Sequence, residues 1–349
     1  MPPHLPPATL RLRIDRQALA ANWRALDRLS GKARAGAAVK ADCYGVGVIH
    51  ALPALLEAGA RDFFVAHWSE VADVLAHVPG AQISVLHGVT SGAEAAYALA
   101  TGVRPVINSL QQAAIWRAAG GGLCDLMVDT GINRLGVSLA ELGDPLVKQL
   151  SVHTLLSHLA SADEDSALNA VQLERTRQAA AAVAHQRLSL ANSAGIALGA
   201  DYAFDLTRPG LALYGGIARS ELADHIRQVV FPQAMVIQRR RIGAGESVGY
   251  NATFTAAADM ETATVSIGYA DGFLRCRGAG AALQHCGQNL PVRGRVSMDM
   301  VVVDCTAYAT LSVGDFVDIP FDLPNVAQSS GMSQYELLTT LGKRFSRIS

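Results

Sequence analysis

One alternation constrains this chain more than any other feature. Between about Ala35 and Tyr214, short apolar runs take turns with Ala/Leu-rich stretches of helical period. The runs are AGAAVK (35–40), DFFVAHW (62–68), QISVLHG (82–88), RPVIN (104–108), DLMVDTG (125–131), VHTLLSH (152–158), RLSLANS (187–193) and YAFDLTR (202–208). A short apolar run between helices is how a strand buried on both faces reads, and strand–helix repetition builds a parallel sheet. Eight such units predict a closed α/β barrel, an eight-stranded (β/α) barrel, rather than an open sheet.

Each run ends in a polar or charged residue before a turn: Lys40, His67, His87, Asn108, Asp129, His158, Ser193 and Arg208. In such a barrel that end carries the active site. A first helix is predicted over RQALAANWRALDRL, directly after Asp15, with its alanines, leucines and tryptophan on one face. After about Ile226 the texture changes to alternating, strand-like segments, QAMVIQRRRI, TATVSIGYA and DMVVVD, separated by glycine-bearing turns. The expected organisation is therefore a barrel over 1–225 followed by a C-terminal β-rich domain over 226–349, with the option that the extreme N-terminal strand joins the second domain. A late helix is predicted in SQYELLTTLGKR. GAGESVG (243–249) has a superficial likeness to a nucleotide loop, but its glycine spacing is wrong for a dinucleotide fingerprint, and it reads as a turn.

Composition narrows the partners. A formal net charge of -1 with 17% charged residues gives no field that favours nucleic acid or acidic membranes, so the expected partner is a small molecule. The opening MPPHLPPATLRLRID lacks the apolar core of about 7 to 15 residues that a signal peptide needs, and no apolar run approaches the roughly 18 residues of a membrane span. The expectation is a cytoplasmic protein. Its five cysteines are odd in number and show no paired metal-ligand spacing, so reduced thiols and no metal are expected.

Lys40 is the first candidate for chemistry. A lysine at the buried end of a strand is costly unless it has work to do, and glycines at 45 and 47 permit close backbone approach. Spacing alone leaves two readings open: a lysine snorkelling at the barrel rim, or an amine whose lowered pKa lets it attack a carbonyl carbon. The surrounding AVKADCYGVG resembles the cofactor-lysine signature of the alanine racemases, with Asp42-Cys43 where the family usually has Asn-Ala. DTGINRLG, SHLASADE, ANSAG, RPGLALYG, VGYNATF, IGYADGFLR and GRVSMD follow in that family's order, over nearly the whole chain.

The resemblance implies interconversion of L- and D-alanine by two-base proton transfer on an aldimine of pyridoxal 5'-phosphate, held covalently by Lys40. It also implies a head-to-tail homodimer whose active sites borrow residues from the partner. Tyr44, Asn192, Ser193, Gly210 and Leu211 match the groups around the phosphate, a role that backbone N–H groups and hydroxyls at loop ends suit. Arg208 matches the arginine facing the pyridine nitrogen, where a guanidinium keeps its proton and leaves the ring a weaker electron sink. Tyr250 matches the second acid/base, supplied by the neighbouring subunit, and His158 a histidine hydrogen-bonded to that tyrosine and to Arg208. Arg134 matches the arginine that contacts the substrate carboxylate, Met298 and Asp299 residues near the substrate, and Tyr269, Arg275 and Arg295 the pocket entrance. Outside their motifs these residues also read as turn, core or salt-bridge residues.

Two departures stand out. Many relatives carry a carbamylated lysine two residues before Asp-Thr-Gly, where this chain has Met127; the expectation is that an anion, most plausibly chloride, compensates beside a partly buried Arg134. Near the C-terminus, Lys343 stands where relatives often have a pocket-closing tyrosine. Alternative readings are a racemase of another or a broader set of amino acids, a basic amino-acid decarboxylase, or a non-catalytic carrier of the cofactor. The carrier would lack a second domain, and the decarboxylase motifs are absent.

Overall fold

The computed structural model describes residues 6–348; residues 1–5, which include the start of the proline-rich opening, lie outside the described residues. The chain forms two compact units, one spanning Arg16–Arg227 and the other combining the segment up to Asp15 with Gln228 onward.

In the first unit the strands are all parallel. Arg34–Ala35 continues through Gly36 into Ala37–Ala38, which pairs with Phe63–Val65; the order then runs through Ile83–Val85, Arg104–Ile107, Leu123–Asp129, Ser151–Leu156 and His185–Ser189. Leu206–Thr207 closes the ring. Its neighbours Asp205 and Arg208 donate N–H bonds to Leu188 O (3.1 Å) and Ala191 O (2.8 Å), and on its other side it pairs with Arg34–Ala35. The result is the eight-stranded barrel, filled by Phe64, Val106, Met127, Leu156 and Leu206, with Leu86 against them. A second apolar layer, including Ile107, Trp116, Leu126, Val128, Leu155 and Leu188, lies between strands and helices. The first helix is Arg16–Leu29 and buries Leu19, Trp23 and Leu26.

The eighth run departs furthest from its expected extent. Of YAFDLTR only Leu206–Thr207 is extended; Ala200–Tyr202 is a 3-10 turn and Phe204 takes a positive φ of 51°. Strand propensity in the aromatics was overridden by the need to turn into the closing strand.

The second unit is an antiparallel β structure. The 13-residue strand Val230–Ile242 is its spine: its first half pairs with Leu10–Ile14 and Phe316–Asp318, and its second half with Met260–Val265 after a register shift between Val236 and Gln238. Met260–Val265, Val301–Asp304, Gln288–Arg293, Ala282–His285 and Phe316–Asp318 complete a circuit back to that spine. Both halves of one long strand can face different neighbours because the bulge re-aims the backbone. The predicted late helix is shorter than expected, Gln334–Thr339, capped by Ser333 and Glu336. A preceding helix, Leu323–Ser330, was not foreseen. GAGESVG is a turn into the Ser247–Val248 pairing, with Gly243 N–H donating to Glu246. No helix of the described residues is long and apolar enough to cross a membrane.

Candidate active site

The strand ends that sequence singled out converge at the C-terminal mouth of the barrel, and Lys40 sits where the first strand leaves it. The backbone there is unusual. Ala41, Asp42, Cys43 and Tyr44 have φ of 53°, 52°, 55° and 55°, a complete left-handed turn without a glycine. Each such L-residue costs about 1–2 kcal/mol, so the turn persists only because its surroundings over-determine it. Glu70 Oε1 accepts from Ala41 N (2.5 Å) and Asp42 Oδ1 from Val48 N (2.8 Å). The Tyr44 ring stacks on Tyr214 at 4.9 Å, and the Tyr214 hydroxyl donates to Ala38 O (2.9 Å). The Asp42 bond needs only one acceptor oxygen, which an aspartate supplies as well as an asparagine would.

Lys40 is partly buried, and its amine is held below the usual lysine range, first by loss of water, then by the charges of Arg134 and Arg208, against the opposing pull of Glu70. Lowering the pKa favours the neutral form of the amine, which both carbonyl attack and proton abstraction require. Among this chain's four lysines, Lys32, Lys148 and Lys343 are all exposed.

Ser193 Oγ accepts from the N–H groups of Gly210 (2.9 Å) and Ala212 (3.2 Å), gathering two loop ends at one point. Asn192 caps the short turn Ser193–Ala197 through Gly195 N (2.9 Å), so its contribution is to the loop rather than to an open face. A Cβ at Gly210 would collide with the Tyr44 hydroxyl, so a glycine is required for the approach of that phenol. Tyr44 hydroxyl, Ser193 Oγ and the backbone at Gly210–Leu211 thus form a small cradle of hydrogen-bonding groups, which fits a phosphate ester, while the Lys40 amine fits an aldehyde.

Arg208 is buried at 7% exposure and brought down to about 10 by that burial, with Asp125 opposing, so it remains a cation at neutral pH. Its guanidinium donates to Ser189 Oγ (2.5 Å), Ser157 O (2.5 Å) and Leu190 O (3.5 Å). Those bonds replace the expected one to the His158 ring, which is absent among the described residues. His158 is pushed down to about 3, first by loss of water and then by Arg208, Arg134 and Lys40, and is neutral at working pH. Its carbonyl is fixed by Gln172 (2.9 Å).

Arg134 corrects an expectation. It is exposed, not partly buried, and no hydrogen bond or ion pair of its guanidinium occurs among the described residues. Asp129, the nearest carboxylate in its loop, is occupied by the N–H groups of Gly131 (2.8 Å), Asn133 (3.1 Å) and Arg134 itself (3.1 Å). Met127 lies in the apolar barrel interior at 8% exposure.

The remaining candidates belong to the second unit and cluster there. Tyr250 is 65% exposed on a tight turn in which Asn251 and Ala252 have φ of 61° and 48°. Tyr269 N donates to Ser297 O (3.1 Å) and Ala270 N to Met298 O (3.1 Å), and a Cβ at Gly268 would strike the Met298 carbonyl. Arg275 lies over the Tyr269 ring at 5.3 Å. Arg275 and Arg295 line one cavity of about 510 Å³ with Thr253 and Val296. Arg344, which sequence reading missed, ties the group together by donating to both oxygens of buried Asp271 (2.7 Å each) and to Asp299 (2.7 Å). It also fixes the chain beside exposed Lys343. No cluster able to hold a metal ion occurs among the described residues.

Comparison with known proteins agrees with this geometry. The alanine racemase N-terminal domain model matches residues 14–218 and the C-terminal domain model residues 229–349. The alanine racemase of Rhizobium meliloti (strain 1021) is 43% identical, over 97% of this chain and 96% of its own. The biosynthetic alanine racemase of Agrobacterium fabrum (strain C58 / ATCC 33970) is 40% identical, over 97% and 93%. Among solved structures, alanine racemase from Bartonella henselae with covalently bound pyridoxal phosphate aligns with a TM-score of 0.90 at 34% identity, covering 98% of this chain and 99% of that one.

Proposed function

The chain belongs to the alanine racemase family, and from that premise we infer that it is a pyridoxal-phosphate-dependent isomerase that interconverts L- and D-alanine. The observation that carries the site assignment is Lys40, a partly buried lysine at the barrel mouth whose amine is held below the usual lysine range beside a cradle suited to phosphate.

When bound, pyridoxal phosphate supplies an electron-withdrawing ring that stabilises negative charge at the substrate's α-carbon. Lys40 would hold it, Tyr44 and Ser193 with the backbone of Gly210 and Leu211 would bind its phosphate, and Lys343 would add charge for that phosphate. Arg208, with its donors fixed by Ser157, Ser189 and Leu190, would serve the ring as a neighbouring cation that gives up no proton. Arg134 binds the substrate carboxylate. Inverting the α-carbon requires a proton to leave one face and another to arrive on the opposite face, so two groups share the work. Lys40 serves one face and the Tyr250 phenol the other, with the neutral imidazole of His158 as its hydrogen-bond partner. Tyr269, Arg275 and Arg295 form the entrance, with Met298 and Asp299 near the substrate.

The exposure of Tyr250 (65%) and Met298 (53%) supports a homodimer in which these residues reach the partner's barrel, because large side chains grouped on adjoining loops favour a covering surface. The division of labour, barrel for the cofactor and β domain for the partner's site, follows the same reading. Five unpaired cysteines support a reducing, cytoplasmic setting.

The functional test is to incubate the purified protein with single enantiomers of alanine, serine, lysine and arginine and follow the appearance of the other hand. Alanine is expected to turn over fastest; faster turnover of a basic amino acid, or carbon dioxide release, would transfer the assignment to the broader racemases or to the decarboxylases.

Chloride beside Arg134 belongs to the same proposal. Its support is electrostatic: Arg134 and Arg208 bring two guanidinium charges to the mouth, and Met127 offers no charge. Activity is then expected to rise with chloride and be indifferent to bicarbonate, and a bromide soak to give an anomalous peak at the guanidinium. Bicarbonate dependence counts against it.

A further inference from the structure

Glu70 lies in the 3-10 turn Trp68–Glu70 that follows the second barrel strand, far in sequence from the lysine it serves. Its two oxygens are divided between two loops. Oε1 accepts from Ala41 N (2.5 Å), the first amide of the left-handed turn, while Oε2 accepts from Ala66 N (2.7 Å) and His67 N (3.0 Å). A carboxylate that takes three backbone N–H bonds makes charge-assisted contacts, stronger than neutral ones. A neutral amide in its place would offer one acceptor oxygen and turn its own NH2 toward a donor.

We propose that Glu70 is a positioning residue for racemisation: it clamps the strained Ala41–Tyr44 turn to the next strand's loop and so aims the Lys40 amine. The proposal rests on the assignment of Lys40 to the cofactor. Four consecutive residues in the left-handed region would relax toward ordinary backbone if their first amide were released, and the side chain at the head of the turn would swing with them. The carboxylate also contributes negative charge beside Lys40, against Arg134 and Arg208; His67 and His87, whose rings meet at 4.1 Å, flank the same loop, and neutral His158 faces the amine.

The test compares Glu70→Gln with Glu94→Gln, which removes a comparable carboxylate-to-amide bond at Thr90 N (2.6 Å) on the surface. In Glu70→Gln, borohydride trapping is expected to find the cofactor still on Lys40. kcat is expected to fall on the order of tenfold to a hundredfold in both directions with little change in KM, as for a displaced reacting group. In the cofactor-free protein, amide exchange over residues 41–45 should quicken, and the pH midpoint for acylation of Lys40 should move down, because an anion that favoured the ammonium is gone. Adding Ala41→Gly, which removes part of the left-handed strain, should recover part of kcat. Glu94→Gln should leave kcat and exchange over 41–45 unchanged. Trapping on another lysine overturns the assignment of Lys40. Trapping on Lys40 with unchanged kcat and unchanged exchange overturns the clamp.

Discussion

Lys40→Ala is expected to abolish racemisation, by on the order of 10⁴-fold or more, and to release the cofactor from covalent attachment. The loss exceeds that of a general base alone because one amine serves both as the point of attachment and as a proton carrier. The fold should survive. The Lys40 amine is partly desolvated and sits among the charges of Arg134 and Arg208, so truncation removes a costly polar group rather than a support, and the melting temperature is expected to hold or rise. Four lysines make the measurement decisive: borohydride reduction followed by peptide mapping has only Lys32, Lys40, Lys148 and Lys343 to choose from. Lys343→Ala is the informative control, since loss of that charge is expected to weaken phosphate binding while the adduct persists. A reducible adduct that survives in Lys40→Ala would reassign the site.

How much of this site was legible in the sequence depends on whether a residue's task is signalled by its own neighbours. The barrel strands were, because a strand buried on both faces has to be a short apolar run, and Lys40, His158, Ser193 and Arg208 each end one of those runs. The left-handed turn was not: Ala41, Asp42, Cys43 and Tyr44 are ordinary residues for a helix or a loop, and the contacts that hold them include Glu70, 29 residues from Ala41, and Tyr214. Arg344 was hidden for the same reason. Its partners Asp271 and Asp299 are 73 and 45 residues away, and a basic C-terminal stretch read only as charge. Arg134 was misjudged in burial because the Met127 substitution suggested an unpaired cation in the interior, whereas Met127 completes an apolar cluster and the arginine stays in solvent. The eighth strand was overextended because Tyr202 and Phe204 have the composition of a strand and the backbone of a turn. Side-chain type predicted which residues carry charge to the mouth; it could not predict which backbone amides those charges hold.

The second large effect is expected from Tyr250→Phe, which should slow racemisation by roughly 10²- to 10⁴-fold. The two directions keep equal kcat/KM because the enantiomers are equal in energy, but abstraction of the α-proton becomes unequal between the two enantiomers. The inequality follows from the division of labour: a group that acts on one face removes the proton from one enantiomer and returns it to the other, so α-deuterated L- and D-alanine should show different isotope effects in the variant. Because the phenol ring is 65% exposed and no hydrogen bond of its hydroxyl occurs among the described residues, loss of that oxygen should leave the fold and the cofactor absorbance intact. The same variant tests whose site the tyrosine serves. Subunits of Lys40→Ala and Tyr250→Phe are each inactive alone. If Tyr250 reaches the partner's barrel, random reassortment into symmetric dimers leaves both lesions in one site of each mixed dimer and neither in the other, so about a quarter of all sites regain activity. If Tyr250 served its own chain's barrel, every site in the mixture would carry one lesion and activity would stay absent. Recovery of activity on mixing therefore requires the exchanged arrangement, and its failure in a mixture that demonstrably reassorts would leave the homodimer but reject the shared site.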